Sequence, residues 1–202
     1  MFGELTRDDV FRIETRRLWL RWPRASDAAA IAAFASRPEV ALMTGSVPHP
    51  YPPGEAEGYV ARARAANAAG ASLNMAITEK NRARALVGTM GLDDQAPGKV
   101  HLGYMLAPGF WGMGYACEAA QAIIDVAFLL SETPEIEASV TAGNAGSIRV
   151  LEKCGFLALG GAIQEVLARG GMVHLERFAL SRPQWRRSLL MTRSRQRETC
   201  TA

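Results

Sequence analysis

The sequence predicts a mixed α/β (α+β) fold, a single domain with a mostly antiparallel sheet of about six to seven strands flanked by helices. Three observations carry this. The stretch "RLWLRW" puts Leu18, Leu20 and Trp22 on one face, the alternation of a half-buried strand. Three strand-like runs, "SLNMAI", "ALVGTMGL" and "VHLGYML", follow one another with only turns between them. Tyr115 to Leu130 then repeats small and apolar residues at helical spacing, with Ala116, Ala119, Ala120, Ile123 and Ala127 on one side.

The remaining elements follow in order. Ser26 is expected to cap an alanine-rich helix from Asp27 to about Ala35. After a loop rich in Pro and Gly, a second helix runs from about Glu55 to Ala69 and stops at Gly70. The charged turn Lys80 to Arg84 joins the first two strand runs as a hairpin. Beyond the long helix, "EIEASVT" reads as a strand and Ser147 to Cys154 as a short helix closed by Gly155. Two last strands meet at the turn Arg169, Gly170, Gly171. The domain is expected over residues 14–185, with an extension over 1–13 and a basic, flexible tail over 186–202.

Composition narrows the function. No apolar run reaches the roughly 18 residues of a membrane span. The N-terminal residues alternate charge with apolar side chains and lack the apolar stretch of a signal peptide, so the cytoplasm is the expected compartment. Cys117, Cys154 and Cys200 are unclustered, which points away from a disulfide framework and a metal site. The net charge of +3 lies largely in the tail, where Arg186, Arg187, Arg193, Arg195 and Arg197 face only Glu198. Such a tail reads as a solvated end; a nucleic-acid or membrane contact is the lesser reading.

"GFWGMGYACEAA" (Gly109–Ala120) sits between a strand ending at Leu106 and a helix beginning near Tyr115. Glycines at a helix N-terminus allow close approach of an anion to unpaired N–H groups, which suits a phosphate. A tight turn without a ligand fits the same residues. The stretch lacks the lysine and hydroxyl of a nucleoside-triphosphate loop, and the third glycine and acidic residue of a dinucleotide fold.

Joined with its surroundings, the stretch is more specific. "GYMLAPGFWGMGYACEA" (Gly103–Ala119), followed by "NAGSIRVLEKCGF" (Asn144–Phe156), resembles the GNAT acetyltransferase superfamily, and within it the branch of the ribosomal-protein N-terminal acetyltransferases. "ETRRLWLRWPRASDAAAI" (Glu14–Ile31) resembles that branch's first strand and helix. One departure stands out: the family's usual Arg or Gln at the head of the loop is Gly109.

The resemblance implies an acetyl-CoA-dependent N-acetyltransferase that acetylates a primary amine by direct transfer, without a metal. It implies central strands splayed after the fourth strand, and a pyrophosphate held by the loop Gly109–Ala116, with Trp111, Gly112, Met113, Gly114, Tyr115 and Ala116 as the cofactor-binding residues. Pantetheine would pair with the backbone of Tyr104, Met105, Leu106 and Ala107, where one amide would donate to the thioester oxygen. Asn144, Ser147 and Lys153 are the remaining implied cofactor contacts.

Proton carriers follow by position. Where many superfamily members carry a general-acid tyrosine this chain has Leu151, which leaves Ser147 as the nearby polar candidate or as a mere first-turn residue. His101, two residues before "GY", has the near-neutral pKa of a base for an ammonium; a surface histidine fits as well, and His174 and Glu176 are comparable candidates. Glu118 reads as structural or capping, and Cys117 and Cys154 as small core residues. The loop "ALMTGSVPHPYPPGEAE" borders the amine pocket in the resembling family, which makes Thr44, His49 and Tyr51 candidate acceptor contacts. The acceptor is either a protein N-terminus or a small amine such as a polyamine or antibiotic. A non-catalytic acyl-CoA-binding module remains an alternative, no membrane partner is expected, and monomer and homodimer both stay open.

Overall fold

A computed structural model of the chain describes residues 2–81, 85–96, 99–166 and 170–199. The turn residues 82–84, together with Arg169 and residues 200–202, lie outside the described set. Eight strands form one sheet: β1 (Arg12–Glu14), β2 (Leu18–Arg21), β3 (Ser72–Glu79), β4 (Leu86–Ala96), β5 (Lys99–Leu106), β6 (Glu135–Thr141), β7 (Leu157–Val166) and β8 (Gly171–Ser181). Their order is β1-β2-β3-β4-β5-β6-β8-β7. Every neighbouring pair is antiparallel except β5 and β6, which are parallel. The connection between those two is the helix α4 (Tyr115–Leu130), because a parallel neighbour requires a crossover.

The other helices are α1 (Ala28–Ala35), α2 (Pro38–Ala41), α3 (Glu55–Ala69), α5 (Ala145–Lys153) and α6 (Arg182–Thr199). Two cores lie on the two faces of the sheet. The larger one packs Leu20, Met75, Met90 and Leu102 against Ile123 and Phe128 of α4. The smaller packs Ile31, Phe34, Val40 and Val60 of α1–α3 against Met105 of β5. Leu102 and Met105 serve different cores because alternate residues of a strand face opposite ways.

Several expectations change. The sheet has eight strands rather than six to seven, since β1 is only three residues long, too short for its alternation to mark a strand. The stretch read as an N-terminal extension is packed on the domain, with Phe2 buried in the larger core and its N–H bonded to the Gly70 carbonyl at 3.0 Å. At the start of α1 the cap expected of Ser26 is not made: Asp27 stands at the cap position without a side-chain bond to the helix amides, and its carboxylate turns back to accept the Arg24 N–H at 2.7 Å and to pair with Arg21. Residues 186–199, expected in a tail, continue α6. Gly70, with φ of 70°, closes α3 as the sequence predicts.

Candidate active site

Gly112 and Gly114 fix the turn after β5, with φ of 75° and 77°. Other residues enter this left-handed region at a cost of about 1–2 kcal/mol. A Cβ on Gly112 would meet nothing within 4 Å, so its glycine serves the backbone and an open face, not a crowded interior. The first half of the loop satisfies itself: Phe110 and Trp111 N–H groups bond the Ala107 and Pro108 carbonyls at 2.9 and 3.1 Å. The Trp111 indole folds back to donate to the Leu106 carbonyl at 2.9 Å. The second half does not close on itself. The ladder of α4 starts with the Glu118 N–H on the Gly114 carbonyl, and the amides ahead of that bond stand at the positive end of the helix. An anion fits there.

One residue locks this loop to the far end of the chain. The Glu118 carboxylate accepts from the Thr15 hydroxyl at 2.6 Å, the Arg17 amide at 2.7 Å and the Arg17 guanidinium at 2.6 Å. Arg17 also donates to the Met113 carbonyl at 2.9 Å and lies 4.5 Å over the Tyr115 ring. The Tyr115 ring is itself buried, and its hydroxyl donates to Glu79. Burial raises the Glu118 pKa, but the hydrogen bonds and charge of Thr15 and Arg17 outweigh it and hold the carboxyl below its ordinary value. Glu118 is therefore a clamp on the loop, in keeping with a structural role.

The strands β5 and β6 pair at only two positions, Val100 with Ile136 and His101 with Glu137. Beyond His101 they diverge, so the β6-facing edge of β5 from Leu102 to Leu106 has no strand partner. A cleft of about 980 Å³ opens at this splay. It is lined by His101, Gly103 and Met105, and also by the alternating Leu102 and Tyr104, so it passes through the sheet from one face to the other. Its walls come from α3 and the loop before it, from α5, and from β6, β7 and β8.

The cleft gathers His101, Ser147, Thr44, Tyr51 and Met105, and Leu151 forms part of its apolar wall. Burial lowers the His101 pKa, while the carboxylates of Asp93 and Glu137 work the other way. Tyr104, whose side chain sequence reading did not single out, sends its hydroxyl to the Ser147 carbonyl at 3.3 Å. Burial pushes that phenol up to about 12, against the lowering effect of the Ser147 bond. Tyr59 of α3 is likewise raised by burial to about 12 and bonds Thr89. Cys154 is buried beside Cys117, which raises its thiol pKa.

Other candidates lie elsewhere. His49 is exposed and outside the lining. His174 and Glu176 alternate with the cleft-lining Leu175 and Arg177, so they point to the opposite face of β8. Lys153 is exposed in the last turn of α5, at the other end of that helix from Asn144. Asn144 caps α5: its side-chain oxygen accepts the Ser147 N–H at 3.1 Å. Ala107 spends its N–H on the Val87 carbonyl at 2.9 Å, and Leu106 its carbonyl on Trp111. Asn144→Ala is expected to cost about 1 kcal/mol as a lost cap, a fall of about 2–4 °C in Tm by calorimetry. No change in Tm would mean that the cap contributes nothing to stability.

Among the described residues no group of three or more His, Cys, Asp or Glu could hold a metal ion. No described helix is long and apolar enough to cross a membrane. Comparison with known proteins gives the family. The model of the acetyltransferase (GNAT) domain matches residues 17–157. The N-acetyltransferase p20 of Bacillus licheniformis is 29% identical over 168 residues, 82% of this chain and 93% of that protein. In fold, the chain matches a ribosomal-protein-S5-alanine acetyltransferase from Vibrio fischeri, with a TM-score of 0.70 at 21% identity, over 87% of this chain and 98% of that one. A spermidine N-acetyltransferase from Vibrio cholerae, solved with CoA and spermine, matches with a TM-score of 0.71 at 17% identity, over 85% and 99%. With a glycine loop at the head of α4, a sheet splayed beyond His101 and a family model spanning most of its length, the chain belongs to the GNAT acetyltransferase family.

Proposed function

We propose that this protein transfers the acetyl group of acetyl-CoA directly to a primary amine. The observation that carries the reading is the continuity of the anion-receptive loop with the unpaired edge of β5 and the cleft beyond it. The amides from Gly112 to Ala116 would hold the pyrophosphate, and the open edge of β5 toward Leu106 would take the amide groups of pantetheine. That edge leads to the cleft at Tyr104 and Ser147, where the thioester and the amine would meet. Much of the rate then comes from holding the two in contact.

In the transfer the amine nitrogen forms the N–C bond as the C–S bond breaks. His101 accepts the proton that the ammonium must lose, and the sulfur leaves as a thiol after taking a proton. Ser147 is the candidate donor or placer of that sulfur. Its neighbour Tyr104, held protonated at neutral pH, is a second hydroxyl at the same place. Cys117 and Cys154 have no part in a direct transfer.

The acceptor is a cation before it reacts, and the cleft suits one. Glu55, Asp93, Glu137 and Glu165 line it against Arg62 and Arg177, and both arginines are paired, to Glu55 and Glu137. A protein N-terminus and a small amine such as a polyamine both meet this condition, and Thr44 and Tyr51 would contact either. The reaction is placed in the cytoplasm, where acetyl-CoA is available.

The test is release of CoA from acetyl-CoA with a panel of N-terminal peptides, polyamines and aminoglycosides. Release with one class names the acceptor; binding without release from any of them supports a non-catalytic acyl-CoA module. Gly114→Val should weaken acetyl-CoA binding at least tenfold, about 1.4 kcal/mol. It forces a branched side chain into a left-handed conformation where phosphate must approach. Unchanged affinity by calorimetry in a folded variant would remove the phosphate-seat reading.

A further inference from the structure

A polar row crosses the sheet on the face that α3 covers. Asp93 of β4 is the register partner of His101 of β5, and His101 is the register partner of Glu137 of β6. Register partners stand side by side on one face, with Cβ atoms about 4.5–5.5 Å apart. The row continues at both ends. Asn74 of β3 donates its side-chain amide to Asp93 at 3.4 Å, and Arg177 of β8 donates to Glu137 at 3.5 Å. All five residues line the cleft.

The space for Asn74 is made by Gly91, its partner on β4. A Cβ there would stand 2.2 Å from the Asn74 side-chain oxygen. The Asn74 backbone is pinned in turn by the buried Asn67 of α3, through bonds of 2.7 and 2.8 Å. Asp93 is thus approached from a fixed direction on its outer side and faces His101 on its inner side.

The two carboxylates are not equivalent. Glu137 is paired with the Arg177 cation at 3.5 Å, so its pull on the imidazole is partly offset. Among the described residues the Asp93 carboxylate accepts from the neutral Asn74 amide and is paired with no cation. The other charged or titratable groups on this face are Tyr59 and the Glu55–Arg62 pair of α3, Tyr51 from the loop before it, and Glu165 of β7. Of these, the tyrosines are uncharged at neutral pH and the Glu55–Arg62 pair is internally compensated.

We propose that Asp93 is the positioning residue for His101: its carboxylate, held by Asn74, orients the imidazole over the cleft and keeps it basic enough to take the proton of the amine. This rests on the acetyl-transfer reading of the cleft. The ammonium N–H bond breaks, its proton passes to the imidazole and then to water, and the freed electron pair attacks the acetyl carbon. The C–S bond then breaks, and the sulfur leaves as a thiol with the second proton of the nitrogen. The half-buried protonated imidazole and the exposed Asp93 carboxylate attract each other at the mouth of the cleft, which favours the transfer.

Two measurements test it. The first is the NMR titration of the His101 ring, identified by its loss in His101→Gln, which needs no acceptor. Asp93→Asn removes the carboxylate while burial stays, so the ring must lose its proton at lower pH than in the wild type. Asp93→Glu should restore most of the wild-type midpoint. The second is the pH profile of kcat/KM with the acceptor identified by CoA release. In Asp93→Asn its acidic limb should move to lower pH by the same interval, with a fall of about tenfold at neutral pH. An unmoved ring titration overturns the proposal. So does a ring that moves while the limb stays, because His101 is then not the base. Failure of every acceptor with the wild type would instead overturn the transfer reading and leave the ring titration to decide the Asp93–His101 coupling alone.

Discussion

Gly88→Ala is expected to lower stability by about 3 kcal/mol, the upper end of overpacking costs. For a chain of this size that is a fall of roughly 6–12 °C in Tm. Gly88 lies on β4 opposite Leu106, and an added Cβ would stand 2.3 Å from the Met105 carbonyl oxygen and 2.8 Å from the Leu106 Cα. Both are backbone atoms, so no side chain can swing aside. The backbone is also held, by the Ala107 N–H on the Val87 carbonyl and by the Trp111 indole on the Leu106 carbonyl. The end of β5 must therefore retreat, and with it the start of the glycine loop. A calorimetric loss below about 1 kcal/mol would show that the strand yields freely.

Glu118→Ala is expected to cost about 2 kcal/mol at pH 7. Its carboxylate accepts three hydrogen bonds, and bonds to a charged group carry more than neutral ones. Arg17 keeps about a third of its side chain in water, which limits the loss. The pH dependence follows from the direction of the shift. A carboxyl held below its ordinary value of 4.5 gives stability that is fully present above that value and is lost as pH falls through the folded one. The wild type and the variant should thus differ most near neutrality and converge on acidification below 4.5. An equal gap in melting free energy at pH 3 and pH 7 would show that the charge of Glu118 contributes nothing.

Much of the architecture was legible because it is local. The helix α4 spans Tyr115–Leu130 and the strand β6 spans Glu135–Thr141, as periodicity alone predicts. Gly70 and Gly155 end their helices with φ of 70° and 87°. Short elements were not legible: β1 has three residues and α2 has four, too few for a period to show. At α1 the cap expected from Ser26 is not made, because the polar residue at the helix start, Asp27, is taken up by Arg21 and the Arg24 amide, partners that the local sequence does not reveal.

The candidate site divides in the same way. The loop and Asn144 stand in contiguous motifs, so the sequence could point to them. Asp93, Glu137 and Arg17 become neighbours of site residues only through strand register and a contact 101 positions apart in the chain. Alternation around His101 shows which way it faces, but not what faces it. Tyr104 was visible as part of "GYML", yet its meeting with the Ser147 carbonyl depends on where α5 docks.

The splay between β5 and β6 also makes the fold's measured stability a property of two molecules. Hydrogen bonds that a continuous sheet would make within the chain are left for a bound partner to supply. A ligand that takes them up adds its binding free energy to unfolding, about 2.7 kcal/mol at a concentration one hundred times its Kd. That increment is as large as the effect expected for Gly88→Ala. Melting temperatures of variants around the loop are therefore comparable only at equal cofactor occupancy. A protein purified with residual coenzyme would mask the very substitutions that weaken its seat.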